Sequence, residues 1–174
     1  MRHDRTELEE EIIACKPYKR YKRILQGIKD QFDPEALREE MRGLFQARLT
    51  RDIRPKKVDP KVLLDANAVD VSYRSKLVDM RVNLAEYRKT ITDASSAVRK
   101  WILSEYTDIA GVKTSEQRKN YVDRFFRGSN RLTADIDNLM EQLEWYIKDI
   151  DSAGFRMKDM KDLVEMIYTR ERSI

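Results

Sequence analysis

The sequence predicts an all-α protein built on a long antiparallel helical hairpin, coiled-coil-like, with short N-terminal helices and a short C-terminal helix. Of its 174 residues 38% are charged, and only five are Gly and four Pro, a balance typical of long amphipathic helices. Two stretches, 62–106 and 122–153, carry apolar residues at alternating spacings of three and four. That alternation is the pattern of a coiled-coil seam. No segment alternates with period two for long enough to form a strand.

The N-terminal region, residues 1–58, is expected to hold three short helices and a basic linker. Pro17 ends the first helix, because proline disfavours helical geometry in the residue before it. Asp33 and Pro34 start the third helix as an N-cap followed by a proline in the first turn. The linker, residues 51–57, reads RDIRPKK. The apolar faces of the three helices are Leu8, Ile12 and Cys15; Tyr21, Ile24, Leu25, Ile28 and Phe32; and Leu37, Met41, Leu44 and Phe45.

The hairpin is expected to fill residues 59–153, and its first arm starts at a second Asp-Pro pair, Asp59 and Pro60. Its seam runs for about six heptads. The charged Asp70 interrupts this seam. We expect its carboxylate to face solvent, a cation from the N-terminal helices or a neighbouring chain. The seam positions are Leu63, Ala66, Asp70, Tyr73, Leu77, Met80, Leu84, Tyr87, Ile91, Ala94, Val98, Trp101 and, as a second charge at the last step, Glu105.

A long helix with one narrow seam is not stable alone, so it needs a partner with a matching seam. The chain supplies one after a short loop. Gly111 provides a stop signal, and Thr114 with Gln117 forms a capping box that starts the second arm. Gly128 marks a place where this arm could kink. The second seam comprises Val122, Phe125, Ser129, Leu132, Ile136, Leu139, Leu143, Tyr146, Ile150 and Ala153.

The C-terminal segment, residues 154–174, is expected to form a short separate helix, with Gly154 breaking or bending the chain. This helix either folds back on the bundle or docks on a neighbouring chain. Methionine-rich faces suit such contacts, because the unbranched side chain adapts to irregular surfaces. The predicted oligomer or partner contacts are Phe155, Met157, Met160, Leu163, Val164 and Ile167.

Composition argues against several classes of protein. With one Cys and one His, the chain lacks the material for a disulfide framework, a histidine metal cluster or a catalytic triad. There is no glycine-rich phosphate loop and no nucleophile motif. We therefore expect no enzyme, no metal and no cofactor. The acidic N-terminus is unlike a secretory signal, and no run of 18 apolar residues could span a membrane. A reducing cytoplasm is the expected compartment.

Positive charge is concentrated in one part of the chain. The formal net charge is +4, but residues 16–61 carry fourteen basic and seven acidic side chains, a net of +7. Within them, residues 16–23 read KPYKRYKR. Cations neutralise phosphates, and tyrosine rings stack on unpaired bases. The predicted nucleic-acid-binding residues are Lys16, Tyr18, Lys19, Arg20, Tyr21, Lys22, Arg23, Arg51, Arg54, Lys56 and Lys57.

Other interpretations of this segment remain open, and the polyanion itself could be the surface of an anionic membrane, on which basic amphipathic helices lie. Tyr18 and Tyr21 share a helical face with Leu25 and Ile28, so the rings could be partly buried beneath a solvated basic face. The cations could also contact an acidic protein surface. Arg48, just before the linker, could extend the basic path. A second basic cluster lies at residues 118–131, and an acidic stretch, residues 135–151, follows it. That acidic stretch is either solvated or faces a neighbouring subunit.

The segment 149–162, DIDSAGFRMKDMKD, resembles the closing segment of bacteriophage recombination mediators of the UvsY type. That segment similarly follows a long helix with a Ser-x-Gly-Phe turn and a short amphipathic helix. The resemblance implies a small, basic, all-helical protein that assembles as rings and binds single-stranded DNA. Such proteins help to load a recombinase onto strands covered by single-strand-binding protein.

The sequence thus predicts a non-enzymatic, oligomeric accessory protein that binds single-stranded DNA, of the recombination or replication mediator type. Its expected partners are single-stranded DNA, further copies of itself, and a recombinase or assembly subunit. If the chain is phage-encoded, its compartment is the host cytoplasm. The alternative is a helical structural or adaptor protein, such as a virion component or a complex subunit, whose partners are other proteins.

Overall fold

The protein is all-α and contains a long antiparallel helical hairpin, as the sequence predicts. The computed structural model describes residues 5–48, 60–107, 112 and 114–171, and every regular element among them is helical. None of the described helices is long and apolar enough to cross a membrane. The elements are α1 Arg5–Ala14, α2 Lys16–Gln31, α3 Pro34–Gln46, α4 Pro60–Glu105, α5 Ser115–Asp123, a 3₁₀ turn Arg124–Phe126, and α6 Arg127–Glu171.

Local start signals set the helix boundaries. Helix α3 begins at Pro34 and α4 at Pro60, as the two Asp-Pro pairs predict. Helix α2 begins at Lys16, so Pro17 lies in its first turn, where a missing N–H costs no hydrogen bond. The capping box that starts α5 is confirmed: the Thr114 hydroxyl accepts from the Gln117 amide at 3.1 Å, and the Gln117 side chain accepts from the Thr114 amide at 3.3 Å.

Helix α6 runs through Gly154 without a break and ends at Glu171. The C-terminal segment therefore continues the second arm, which corrects the prediction of a separate short helix. A glycine inside a helix costs only about 1 kcal/mol relative to alanine, and the buried Ala153 and Met157 secure this turn by packing. The second arm is interrupted instead at the 3₁₀ turn, just before Gly128. The predicted stop at Gly111 lies outside the described residues.

The chain divides into two compact units that interleave in sequence, unlike the predicted division in chain order. The first unit comprises Met1–Pro34 with Leu84–Asn138. Its two hairpin arms are antiparallel, since Arg88 pairs with Asp137 at 2.5 Å and Arg99 with Asp123 at 3.0 Å. Helices α1 and α2 complete its core. The buried residues of its arms are Leu84, Ile91, Ser95, Val98, Ile102, Tyr121, Val122, Phe126, Ser129, Leu132 and Ile136.

The second unit comprises Glu35–Asn83 with Leu139–Ile174. Two exposed ion pairs one heptad apart define the antiparallel register of its arms. Arg74 pairs with Asp151 at 2.6 Å, and Arg81 pairs with Glu144 at 2.6 Å. These acids belong to the predicted acidic stretch, so arginines of the same chain neutralise them. The buried residues of this unit are Met41, Arg48, Leu63, Ala66, Asp70, Leu77, Leu139, Leu143, Tyr146, Ile150, Ala153 and Met157.

Asp70 faces a cation, which is one of the three outcomes predicted for it. Arg48, which follows α3, donates from Nε and Nη2 to the Asp70 carboxylate at 3.2 and 3.1 Å. The same guanidinium donates through Nη1 to Asp149. Hydrogen bonds to both carboxylates raise the pKa of Arg48 against the lowering effect of burial, which is the largest single influence on it. A charge at a seam position is tolerated here because it is paired and hydrogen-bonded.

Candidate nucleic-acid interface

Helix α2 has one buried apolar face and one exposed basic face. Tyr18, Tyr21, Leu25 and Ile28 recur at the helical spacing and are all buried. The intervening positions belong to the opposite face, and the cations predicted to bind phosphate occupy it. The exposed cations are Lys16, Lys19, Arg20, Lys22 and Arg23.

The two tyrosines of this segment pack against the 3₁₀ turn of the second arm. The Tyr18 hydroxyl donates to the Phe125 carbonyl at 3.4 Å, and the two ring centroids lie 5.9 Å apart. Tyr21 meets Phe126 edge to face at 5.3 Å. With 5% and 2% of their surfaces exposed, Tyr18 and Tyr21 offer no free ring face. Their predicted stacking on bases is therefore corrected: they are the core contacts of α2.

Two serine side chains, one from each arm, lie beneath the Tyr21 ring where α2 docks. Ser129 is a predicted seam position of the second arm, whereas Ser95 takes the buried place predicted for its neighbour Ala94; both serines are buried. The Ser95 hydroxyl donates to that of Ser129 at 3.4 Å, and Ser129 donates to the Phe126 carbonyl at 2.8 Å. Burial raises the pKa of the Tyr21 phenol, while both serine hydroxyls and Arg99 oppose this rise. The Tyr21 hydroxyl thus ends near two small polar side chains, but it is buried without a hydrogen-bond partner among the described residues.

Docking of α2 brings a second basic segment beside the first. Arg124 and Arg127 directly flank Phe125 and Phe126, the residues that contact the two tyrosines, and both arginines are exposed. The one acid within residues 118–131, Asp123, is paired with Arg99 at 3.0 Å. We call the resulting set the basic surface. It consists of Lys16, Lys19, Arg20, Lys22, Arg23, Arg124 and Arg127.

The charges of the basic surface are directed to solvent. None of its seven cations has an ion pair within 4.0 Å among the described residues. Lys22 lies over the Tyr18 ring at 5.9 Å, a contact that leaves its charge intact. Cations grouped in this way can neutralise successive phosphates of a polyanion and release the counterions condensed on it.

The remaining residues predicted to bind nucleic acid do not belong to the basic surface. Arg51, Arg54, Lys56 and Lys57 lie outside the described residues. Arg48 does not extend the basic path, because it is buried and engaged by Asp70 and Asp149.

The predicted partner-contact residues are only partly exposed. Phe155 and Leu163 are exposed, Met160 is half-buried, and Met157 is buried in the second unit. Met157 is therefore a core residue, which corrects its predicted role as a contact. The side chains of Val164 and Ile167 lie outside the described set.

Sequence reasoning identified the cations of α2 but missed that α2 docks on the segment that carries Arg124 and Arg127. The second basic cluster was visible in the sequence. Its position beside α2 depends on Tyr18 and Tyr21 packing against Phe125 and Phe126, which is a tertiary event. Among the described residues, no group of three or more His, Cys, Asp or Glu is placed to hold a metal ion. Comparison with protein-family models, curated proteins and solved structures finds no match to this chain.

Proposed function

We propose that this protein is a non-enzymatic accessory protein that binds single-stranded DNA through the basic surface. The observation that carries the proposal is the grouping of seven exposed cations, from α2 and the 3₁₀ region, with no ion pair among the described residues. A phosphate backbone is the polyanion that a row of cations on one helix face suits best. The resemblance of residues 149–162 to the recombination mediators favours single-stranded DNA as the form bound.

The salt dependence of binding tests this proposal. On a single strand, the slope of log affinity against log salt is about −0.7 per phosphate neutralised, so seven engaged cations give a slope of about −5. Replacing Lys16, Lys19, Arg20, Lys22 and Arg23 with Gln should flatten the slope by about 3.5. Fluorescence anisotropy of a labelled thymine homopolymer over a series of salt concentrations measures both quantities.

A second variant with the same net charge as the first controls for the effect of net charge on binding. It replaces five exposed cations outside the basic surface with Gln and, like the first variant, changes the net charge from +4 to −1. We expect this control to keep most of the affinity and a steep slope. Equal losses in the two variants would show that binding depends on net charge and would contradict the proposal. The control positions are Lys76, Lys89, Lys100, Arg156 and Lys158.

Self-association is the second part of the proposal. Several large apolar side chains of the second unit are exposed, which is a feature of interaction surfaces when such residues form a patch. The mass of the protein in solution, measured with and without the oligonucleotide, tests for an oligomer. A monomer under both conditions would refute this part. The residues to which this part of the proposal applies are Val62, Leu64 and Val71 of α4, and Phe155, Leu163 and Met166 of α6.

The same apolar residues favour a second candidate function, that of an adaptor whose partners are other proteins. A groove of about 330 Å³ in the second unit is lined by apolar residues that include Leu63, Leu64 and Met157, and by the charged residues Lys158, Lys161 and Glu165. Adaptable methionine and leucine side chains suit a helical partner. A protein that stays bound to the chain through nuclease treatment and high salt would favour this function over DNA binding.

A further inference from the structure

An exposed tryptophan lies on α6 in the second unit, and it is not among the residues predicted to bind. Trp145 has 59% of its surface exposed, unusual for the largest apolar side chain. Its ring is not isolated, since the Phe45 centroid lies 5.4 Å away at an angle of 50° and the Tyr146 centroid 5.3 Å away at 61°. The indole thus contacts two rings while more than half of its surface remains open to solvent.

The rings beneath Trp145 are themselves held in place. Phe45 stacks on the buried Tyr146 at 4.4 Å and 21°. The Arg48 guanidinium covers the Phe45 ring at 5.3 Å. Because Asp70 and Asp149 fix that guanidinium, the aromatic cluster rests on a buried, paired charge. A ring held in this way loses little conformational freedom when a ligand stacks on it.

The charges around Trp145 are compatible with an anionic ligand. Arg42, one turn before Phe45, and Lys148, one turn after Trp145, are both exposed. Of the nearby acids, Glu144 is paired with Arg81 and Asp149 with Arg48.

Glu141, one turn before Trp145, is exposed and has no ion pair among the described residues. The local field therefore includes two exposed cations and one exposed carboxylate without such a pair.

We propose that Trp145 is a stacking platform for an unpaired nucleobase. The inference rests on the proposed binding of single-stranded DNA and adds a contact to the bases themselves. Stacking on an aromatic ring tolerates every base, because each base has a π-face, but it requires that face to be free. Trp145 would therefore supply the discrimination between single strands and duplex that the buried Tyr18 and Tyr21 cannot supply.

Two strands that differ only in their bases test the inference. Anisotropy compares a thymine homopolymer with an abasic strand of the same length and charge, at one low salt concentration. We expect the wild-type chain to bind the thymine strand more tightly, by about 5- to 150-fold for one stacked base. Trp145→Ala should abolish this preference and leave the salt slope unchanged, while Trp145→Phe should retain part of it. Quenching of tryptophan emission by the thymine strand should disappear in both variants.

Val82→Ala is the control, because Val82 is an exposed apolar residue of the same unit, with 49% of its surface exposed, and carries no aromatic ring. It should keep the full preference for the thymine strand. Far-UV circular dichroism and the melting temperature verify that each variant is folded. A folded Trp145→Ala variant that keeps the preference would overturn the inference and leave Trp145 as a contact for a protein partner.

The failure of the inference and that of the proposed function are distinguishable. Equal, salt-dependent binding of the thymine and abasic strands by the wild-type chain would overturn the stacking role and leave phosphate binding intact. Absence of salt-dependent binding to either strand would overturn both.

Discussion

Replacing Arg48 with methionine is expected to destabilise the second unit by about 3–5 kcal/mol. The side chains of Arg48 and Asp70 are 1% and 2% exposed, and their closest ion-pair atoms, Nη2 and Oδ2, lie 3.1 Å apart. Methionine fills much of the volume of arginine but leaves the Asp70 carboxylate buried in the seam without this cation. The expected cost is mainly the penalty of that uncompensated charge, and not the net contribution of the pair.

Two further variants separate this explanation from a general loss of ion pairs. Arg74→Met breaks the pair with Asp151, whose side chains are 44% and 42% exposed, and should cost less than about 1 kcal/mol because solvent screens the exposed charges. The double variant Arg48→Met with Asp70→Leu removes both buried charges and should recover most of the stability lost in the single variant.

Urea unfolding measures these differences within the second unit. The fluorescence of Trp145 reports on that unit, and replacing Trp101 with Phe removes the signal of the first unit. Equal costs for Arg48→Met and Arg74→Met would refute the argument that burial makes the Arg48 pair critical. A double variant no more stable than Arg48→Met would refute the explanation by an uncompensated charge.

Three other predictions concern helix continuity, capping and pH. Gly154→Ala should stabilise the protein by about 0.5–1 kcal/mol in thermal unfolding, because an added Cβ meets no atom within 4 Å; a loss would indicate that the helix is broken there. Thr114→Ala should cost about 1 kcal/mol in the same assay, whereas Thr114→Ser should cost little. Burial raises the pKa of Tyr18 and Tyr21 above 10.0, so their contribution to stability is complete below pH 10 and is lost as the pH rises through the folded-state pKa values. Replacing both with Phe should move alkaline unfolding, followed by circular dichroism, to higher pH; an unchanged midpoint would contradict this.

Much of the fold follows from local rules that a sequence displays directly. Pro34 and Pro60 start helices because proline suits the first turn, and Thr114 starts another because its hydroxyl accepts an otherwise unpaired amide. The two seams alternate three and four because only residues on one helical face can be buried together. Each of these rules involves residues only a few positions apart, so none of them requires knowledge of the tertiary structure.

The candidate site was less predictable, because composition does not tell which face of a helix is covered. Residues 16–23 suit both base stacking and burial, and the outcome depended on Phe125 and Phe126 from a distant part of the chain. The environment of Trp145 could not be predicted from the sequence for the same reason. Its ring contacts Phe45, which is one hundred positions away in sequence. The continuation of α6 through Gly154 was missed because the weak helix propensity of glycine was overridden by packing of its neighbours.

The sequence by itself determined the all-α class, the starts of α3, α4 and α5, the pairing of two long seams into a hairpin and the concentration of cations in residues 16–61. Helical period, proline geometry and charge are properties of neighbouring residues. Only the tertiary structure decided which groups meet across the fold. It buried the tyrosines of α2, docked α2 on the segment that carries Arg124 and Arg127, and matched Asp70 with Arg48. The physical reason is that burial and ion pairing depend on distances through space, which many sequence separations can satisfy equally well.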